Sequence, residues 1–180
     1  EQRNQALRLI SDALSQEADA LLQANQQDLA AASGLSSAMQ DRLRLTEERL
    51  QGIAKAVREV EAWPEPLNRV LHQDLRPNGL QIRRVSVPLG VIAVIFESRP
   101  NVTLDAAAMC LKSGNAVILR GGKEAIHTNT ALAELIRGAC LKAGLPEDSV
   151  QLVRDTTRRS ATALMKLRPY VDLLIPRGGK

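Results

Sequence analysis

Aromatic residues are nearly absent from this chain: Trp63, Phe96 and Tyr170 are the only three. Proteins that hold single-stranded nucleic acid stack its bases on aromatic side chains, so that class loses its usual platform. Cysteine is scarcer still. Cys110 and Cys140 stand 30 residues apart in apolar surroundings, with no C-x-x-C pair, which leaves a disulfide framework or a zinc site without support and predicts reduced, structural thiols. With two histidines, His72 and His127, the chain has no H-E-x-x-H, and G-x-S-x-G and paired-carboxylate patterns are missing too. No metal site is expected. Apolar runs never exceed six residues, far below the ~18 to 20 that span a bilayer, and the first nine residues lack the apolar centre of a secretion signal. A cytoplasmic location away from membranes is expected. What remains is an ordinary globular composition, 44% hydrophobic, which excludes collagen-like, low-complexity and disordered classes. A chain of 180 residues can bury a sizeable core as one or two domains without covalent staples.

Charge is unevenly spread. Residues 1–66 carry 7 basic and 11 acidic side chains, residues 67–150 carry 10 and 7, and residues 151–180 carry 7 and 2. The ligand of the later part is therefore expected to be anionic. Given the shortage of aromatics, a small phosphorylated molecule fits better than DNA or RNA.

Leu7, Ile10 and Leu14, then Leu21 and Leu22, recur at three- and four-residue steps, which predicts amphipathic helices. Gly34 interrupts them. Thr46 is placed to cap a further helix with Leu50, Ile53, Ala54, Val57 and Val60 on one stripe, and Pro64 and Pro66 close a helical segment over residues 1–66. Residues 67–87 change period around the turn signal Pro77-Asn78-Gly79, which predicts a β-hairpin arm. A new domain is expected from residue 88, where Pro88-Leu89-Gly90 leads into a continuous apolar run at 91–96, the mark of a parallel strand covered on both faces. Strands at 91–96, 116–119, 150–153 and 171–175 then alternate with helices near 103–112, 129–143 and 158–166. Such alternation predicts an α/β fold with a parallel, doubly wound sheet, and these sheets take ligands at the carboxyl ends of their strands.

The loops at those ends hold three polar clusters. Residues 97–102 read Glu-Ser-Arg-Pro-Asn-Val; Arg99 can present a planar fork to a carboxylate or phosphate, and Asn101 can donate an amide hydrogen to a developing oxyanion. Equally, Glu97 and Arg99 can pair with each other while Asn101 or Thr103 caps the next helix. Arg120-Gly121-Gly122-Lys123 follows the second strand, where two glycines let backbone approach a ligand between two cations; the alternative is a glycine turn with solvated charges. It is neither a Walker A loop, since Val117 and Glu124 stand where Gly and Ser or Thr are needed, nor a G-x-G-x-x-G fingerprint. Pro176-Arg177-Gly178-Gly179-Lys180 repeats the basic, double-glycine theme after the last strand.

Three stretches resemble the γ-glutamyl phosphate reductase family of the aldehyde dehydrogenase superfamily. They are Val87-Pro88-Leu89-Gly90 through Glu97-Ser98-Arg99-Pro100-Asn101-Val102-Thr103, Leu111 through Gly114-Asn115 to Arg120-Gly121-Gly122-Lys123-Glu124, and Leu174-Ile175-Pro176-Arg177-Gly178-Gly179. The resemblance extends over essentially all 180 residues. It implies a Rossmann-like domain (residues 88–180, incomplete) and NADPH-dependent reduction of L-glutamate 5-phosphate to L-glutamate 5-semialdehyde in proline biosynthesis. In that family a cysteine thiolate displaces phosphate and hydride reduces the resulting thioester. Carried over position by position, Arg120, Gly121, Gly122 and Lys123 match the adenosine-ribose segment, Gly178 and Gly179 the pyrophosphate loop, and Arg99 and Asn101 the polar turn beside the substrate. Lys123 suits the 2′-phosphate of NADP.

Further implications are an acyl phosphate substrate, a homo-oligomer begun by the hairpin arm, and coupling to a glutamate 5-kinase. The family's nucleophilic cysteine stands beyond residue 180, in a chain more than twice as long, so neither Cys110 nor Cys140 receives that role. Lys180 also departs from the small residue the family places there. An amino-terminal portion lacking the catalytic domain, inactive alone, is therefore expected. The competing expectation is a truncated nucleotide-binding or self-association module; a nucleic-acid binder would require strongly salt-dependent binding.

Overall fold

A computed structural model describes residues 1–178. Four helices come first: α1 (Gln2–Gln16), α2 (Ala18–Ala31), α3 (Ser37–Leu43) and α4 (Glu47–Ala62). The helical periodicity buries Leu7, Ile10 and Leu14 of α1 against Leu50, Ile53 and Val57 of α4. Removing each such side chain from water contributes about 1.5 to 3 kcal/mol. Thr46 caps α4 as its sequence predicts, its hydroxyl oxygen accepting from the Arg49 N–H at 3.2 Å, and Glu47 and Glu48 favour the positive end of the helix.

Strands β1 (Val70–Leu75) and β2 (Gln81–Val85) form the expected antiparallel hairpin. Gly79 turns it at φ 85°, a conformation open to glycine, and the Asn78 side chain accepts from Leu80 N–H at 3.1 Å. Both faces are exposed almost throughout.

The remaining elements are β3 (Val91–Phe96), α5 (Asn101–Lys112), β4 (Ala116–Arg120), α6 (Ile126–Lys142), β5 (Val150–Leu152), α7 (Arg158–Lys166) and β6 (Leu173–Arg177). The four strands form one parallel sheet in the order β5-β4-β3-β6. This is the predicted α/β architecture. Gly114 and Gly144 adopt positive φ after α5 and α6, where helices end in left-handed backbone.

Two element boundaries and the cap of α5 differ from the sequence reading in ways that tertiary contacts explain. The last strand runs over 173–177, not 171–175, because Asp172 ties the chain to β3 with both its groups: its N–H donates to the Val91 carbonyl at 2.9 Å and its carboxylate accepts from the Val91 N–H at 2.8 Å. Pro176 then falls inside an edge strand of the described sheet, a place that tolerates proline. Helix α6 begins at residue 126 instead of 129, since its first N–H groups are met from outside by the buried Asp28 of α2. Neither Asn101 nor Thr103 caps α5. The Asn101 amide donates to Asp105 Oδ2 at 3.2 Å, and the Thr103 hydroxyl donates to Asn129 Oδ1 at 2.9 Å.

The N-terminal helices share one core with the sheet layer, in which Leu7, Leu21 and Leu50 join Val94, Leu104, Leu132 and Ile136. Lys112, only 4% exposed, bridges the two parts by donating to Asn4 Oδ1 at 2.9 Å and the Glu61 carbonyl at 2.7 Å. A buried ammonium persists only with such partners.

Candidate functional site

Strand order places the topological switch point between β3 and β6: the chain proceeds from β3 to β4 and β5 on one side, then returns to put β6 on the other. In open parallel sheets the crevice at this point receives the ligand. A cleft of about 650 Å³ opens there, walled by Glu97, Ser98, Arg120, Lys123, Arg177 and Gly178 among others. Arg120, Gly122 and Lys123 at the end of β4 thus meet Arg177 and Gly178 at the end of β6 around this cleft.

Their parts behave differently. Arg120 reaches from the end of β4 to the loop after β5, donating to the carbonyls of Thr156 at 2.5 Å and Thr157 at 3.0 Å, while its Nε is buried with no partner among the described residues. Gly121 lies buried beneath the cleft and does not line it: a Cβ there would stand 2.2 Å from Asn129 Nδ2 and 3.1 Å from the Phe96 ring. Gly122 is on the wall, where a Cβ would come within 3.4 Å of the Glu97–Ser98 backbone. Exposed Lys123 lines the same cleft. The Glu97 side chain lies across Gly178, whose added Cβ would be 2.9 Å from Glu97 Oε1. Gly179 and Lys180 lie outside the described residues.

Arg99 and Asn101 are brought together elsewhere. They line a cavity of about 410 Å³ formed with Arg42, Arg44 and Asp105, to which the start of α4 contributes Arg49. Beside it a smaller cavity of about 290 Å³ shares Arg42 and Arg99 with the first, and Glu97, Arg177 and Gly178 with the switch-point cleft. Sequence reasoning did not find Arg42, Arg44 or Asp105. The only local signal, two arginines around Leu43, reads equally as an ordinary exposed helix end.

Asp105 is half-buried, and desolvation pushes its carboxyl above the usual range, against the pull of Arg177 and of the Asn101 amide. Burial likewise pushes both thiols up to about 11. Cys110 and Cys140 are both free and buried, a setting that disfavours the thiolate. His127 is exposed at the start of α6 and His72 on the hairpin. Among the described residues no group of three or more His, Cys, Asp or Glu side chains could hold a metal ion, and no helix is long and apolar enough to cross a membrane.

A parallel α/β sheet with a cleft lined by arginines and a lysine at its switch point has the architecture in which such sheets take their ligands. Residues 1–178 match the aldehyde dehydrogenase family, and the chain belongs to that family of oxidoreductases, which implies a nicotinamide cofactor. Its relatives are more particular. Over 176 residues it is 52% identical to the γ-glutamyl phosphate reductase of Xanthomonas oryzae pv. oryzae, covering 97% of this chain and 42% of that protein. The crystal structure of the γ-glutamyl phosphate reductase from Thermotoga maritima superposes with a TM-score of 0.97 at 38% identity, covering 99% of this chain and 44% of that one. The enzyme of the same name from Saccharomyces cerevisiae gives 0.92 at 34% identity, covering 100% of this chain and 46% of that one. The chain therefore spans about two fifths of the length of these relatives.

Proposed function

We propose that this chain forms the cofactor cleft and part of the substrate site of an enzyme that reduces L-glutamate 5-phosphate to L-glutamate 5-semialdehyde with NADPH, in proline biosynthesis. The observation that carries the reading is the likeness, over nearly its whole length, to γ-glutamyl phosphate reductases. The residues present fit a dinucleotide. The cleft volume lies within the range of roughly 300 to 1,000 Å³ typical of ligand pockets, and the orphaned Nε of Arg120 adds an unused donor at its wall.

Arg120 and Lys123 would hold the adenosine end, with Lys123 facing the 2′-phosphate, and Gly178, with Gly179 after it, would lie under the pyrophosphate. Gly121 serves this site by packing on Phe96 and Asn129 beneath it. When bound, the cofactor supplies a hydride. Arg99 attracts the acyl phosphate, and Asn101, anchored through one amide hydrogen to Asp105, keeps its second for a developing oxyanion. The thiolate that displaces phosphate comes from outside these 180 residues, because both thiols of this chain are buried and hard to ionise. The complete enzyme acts in the cytoplasm on the acyl phosphate that a glutamate 5-kinase supplies.

A second reading, a self-association module, draws on the exposed Leu71, Leu75, Leu80 and Ile82 of the hairpin region. Isothermal titration of the 180-residue chain separates the two. The first predicts NADPH binding without turnover of L-glutamate 5-phosphate. Absence of binding to NADPH and NADH, or turnover by these residues alone, contradicts it.

A further inference from the structure

Among the described residues seven arginines have a carboxylate partner: Arg3, Arg8, Arg49, Arg58, Arg76, Arg137 and Arg154. Arg42, Arg44, Arg99 and Arg177 form no ion pair among the described residues, yet all four line the two adjoining cavities beside α5. Four guanidinium groups outnumber the carboxylates around this space, Glu97 in the small cavity and Asp41 and Asp105 in the larger one, and an anionic ligand relieves the remaining repulsion. Two carboxylates also line the larger cavity. Asp41 is occupied by Arg49 at 2.9 Å. Asp105 makes no ion pair among the described residues; its Oδ2 accepts from the Asn101 amide, which leaves Oδ1 for a cation.

Resting on the reading above, we infer that this cavity selects an α-amino acid: Arg42 and Arg44 receive the α-carboxylate, Asp105 receives the α-ammonium, and Arg99 with Arg177 hold the phosphate end toward the cofactor cleft. The order follows from placement. Arg44 and Asp105 line the larger cavity, whose lining shares no residue with the cleft, whereas Arg177, which also pulls on the Asp105 carboxylate, lines the small cavity and the cleft itself. Partial burial raises the cost of leaving Asp105 ionised and unpaired, so a bound ammonium is rewarded there more than at an exposed carboxylate. A site built around a substrate N–H rejects the analogue that lacks it.

L-Glutamate and glutarate, which differ only in the α-amino group, test this by NMR titration of the 180-residue chain, with inorganic phosphate and NADPH titrated in parallel. L-Glutamate is expected to bind about 10- to 100-fold more tightly than glutarate, the span of one charged hydrogen bond. Asp105→Asn should erase that ratio, and Asp105→Glu should restore part of it. Arg44→Gln should weaken both dicarboxylates equally, and Arg177→Gln should weaken phosphate. A fold-dependent loss would instead lower every affinity together and leave the ratio unchanged. Equal binding of the two dicarboxylates, binding of neither, or a ratio that survives in Asp105→Asn overturns the assignment. If NADPH binds while the ratio is absent, this subsite alone falls; if the ratio holds and neither nicotinamide cofactor binds, the reductase reading falls and the amino-acid subsite stands.

Discussion

Asp28 of α2 accepts two hydrogen bonds from Thr128 of α6, from its N–H at 2.8 Å and from its hydroxyl at 2.6 Å. The other carboxylate oxygen accepts from the His127 N–H at 3.0 Å. A side chain 100 residues away in sequence thus caps the helix that follows the Arg120–Lys123 segment, and so fixes how that segment leaves the sheet. Asp28→Ala strands three donors in a buried setting and should cost about 3 kcal/mol, read by urea unfolding. Asp28→Asn keeps one acceptor oxygen and should cost less.

Two glycines give a matched pair. Gly121→Ala would force a methyl against Asn129 and Phe96, and a destabilisation of about 1 to 3 kcal/mol is expected. Gly138, inside α6, has open space where a Cβ would go, so Gly138→Ala should stabilise by about 0.5 to 1 kcal/mol. Thermal melting of both variants reads the opposite signs.

The thiols set a pH limit. Because burial raises both from the ordinary 9 to about 11, the folded state holds these protons more tightly than the unfolded state does. The resulting stability is intact below pH 9 and drains away as pH rises toward about 11. Denaturant midpoints should therefore fall across that window, more in the native chain than in a Cys110→Ala, Cys140→Ala double variant. Near neutral pH, iodoacetamide should label neither thiol until the protein is unfolded.

Lys123→Glu tests cofactor choice. It should weaken NADPH binding about tenfold or more while leaving NADH affinity nearly unchanged, as removal of one charge-assisted phosphate contact predicts. Equal affinities for the two cofactors in the native chain, unaltered by the substitution, would remove the 2′-phosphate role from Lys123.

Arg120 is expected to matter for a different reason. Arg120→Gln frees the Thr156 and Thr157 carbonyls and loosens the loop after β5, so faster amide exchange at residues 155–158 should accompany any loss of NADPH affinity. Slower binding without that change in exchange would argue for direct ligand contact alone.

Much of this molecule is legible in local residue order. The apolar run at 91–96, the glycines after α5 and α6, Thr46 before α4 and the Asn78-Gly79 turn each act on neighbours a few residues away, and each appears where periodicity and backbone preference put it. The meeting of Gly122 and Lys123 with Arg177 and Gly178 around one cleft follows from strand parallelism. Other features depend on residues far apart in the chain. The true start of α6 is set by Asp28, the start of β6 by Val91, and the burial of Gly121 by Asn129. Arg42 and Arg44, at the end of α3, share a cavity with Asp105 of α5 only because the chain packs so that the following helix α4 lies against α5. Hydrogen-bond geometry and charge pairing act over a few ångströms, and sequence order carries no record of which distant side chains will come within that range until the core has closed.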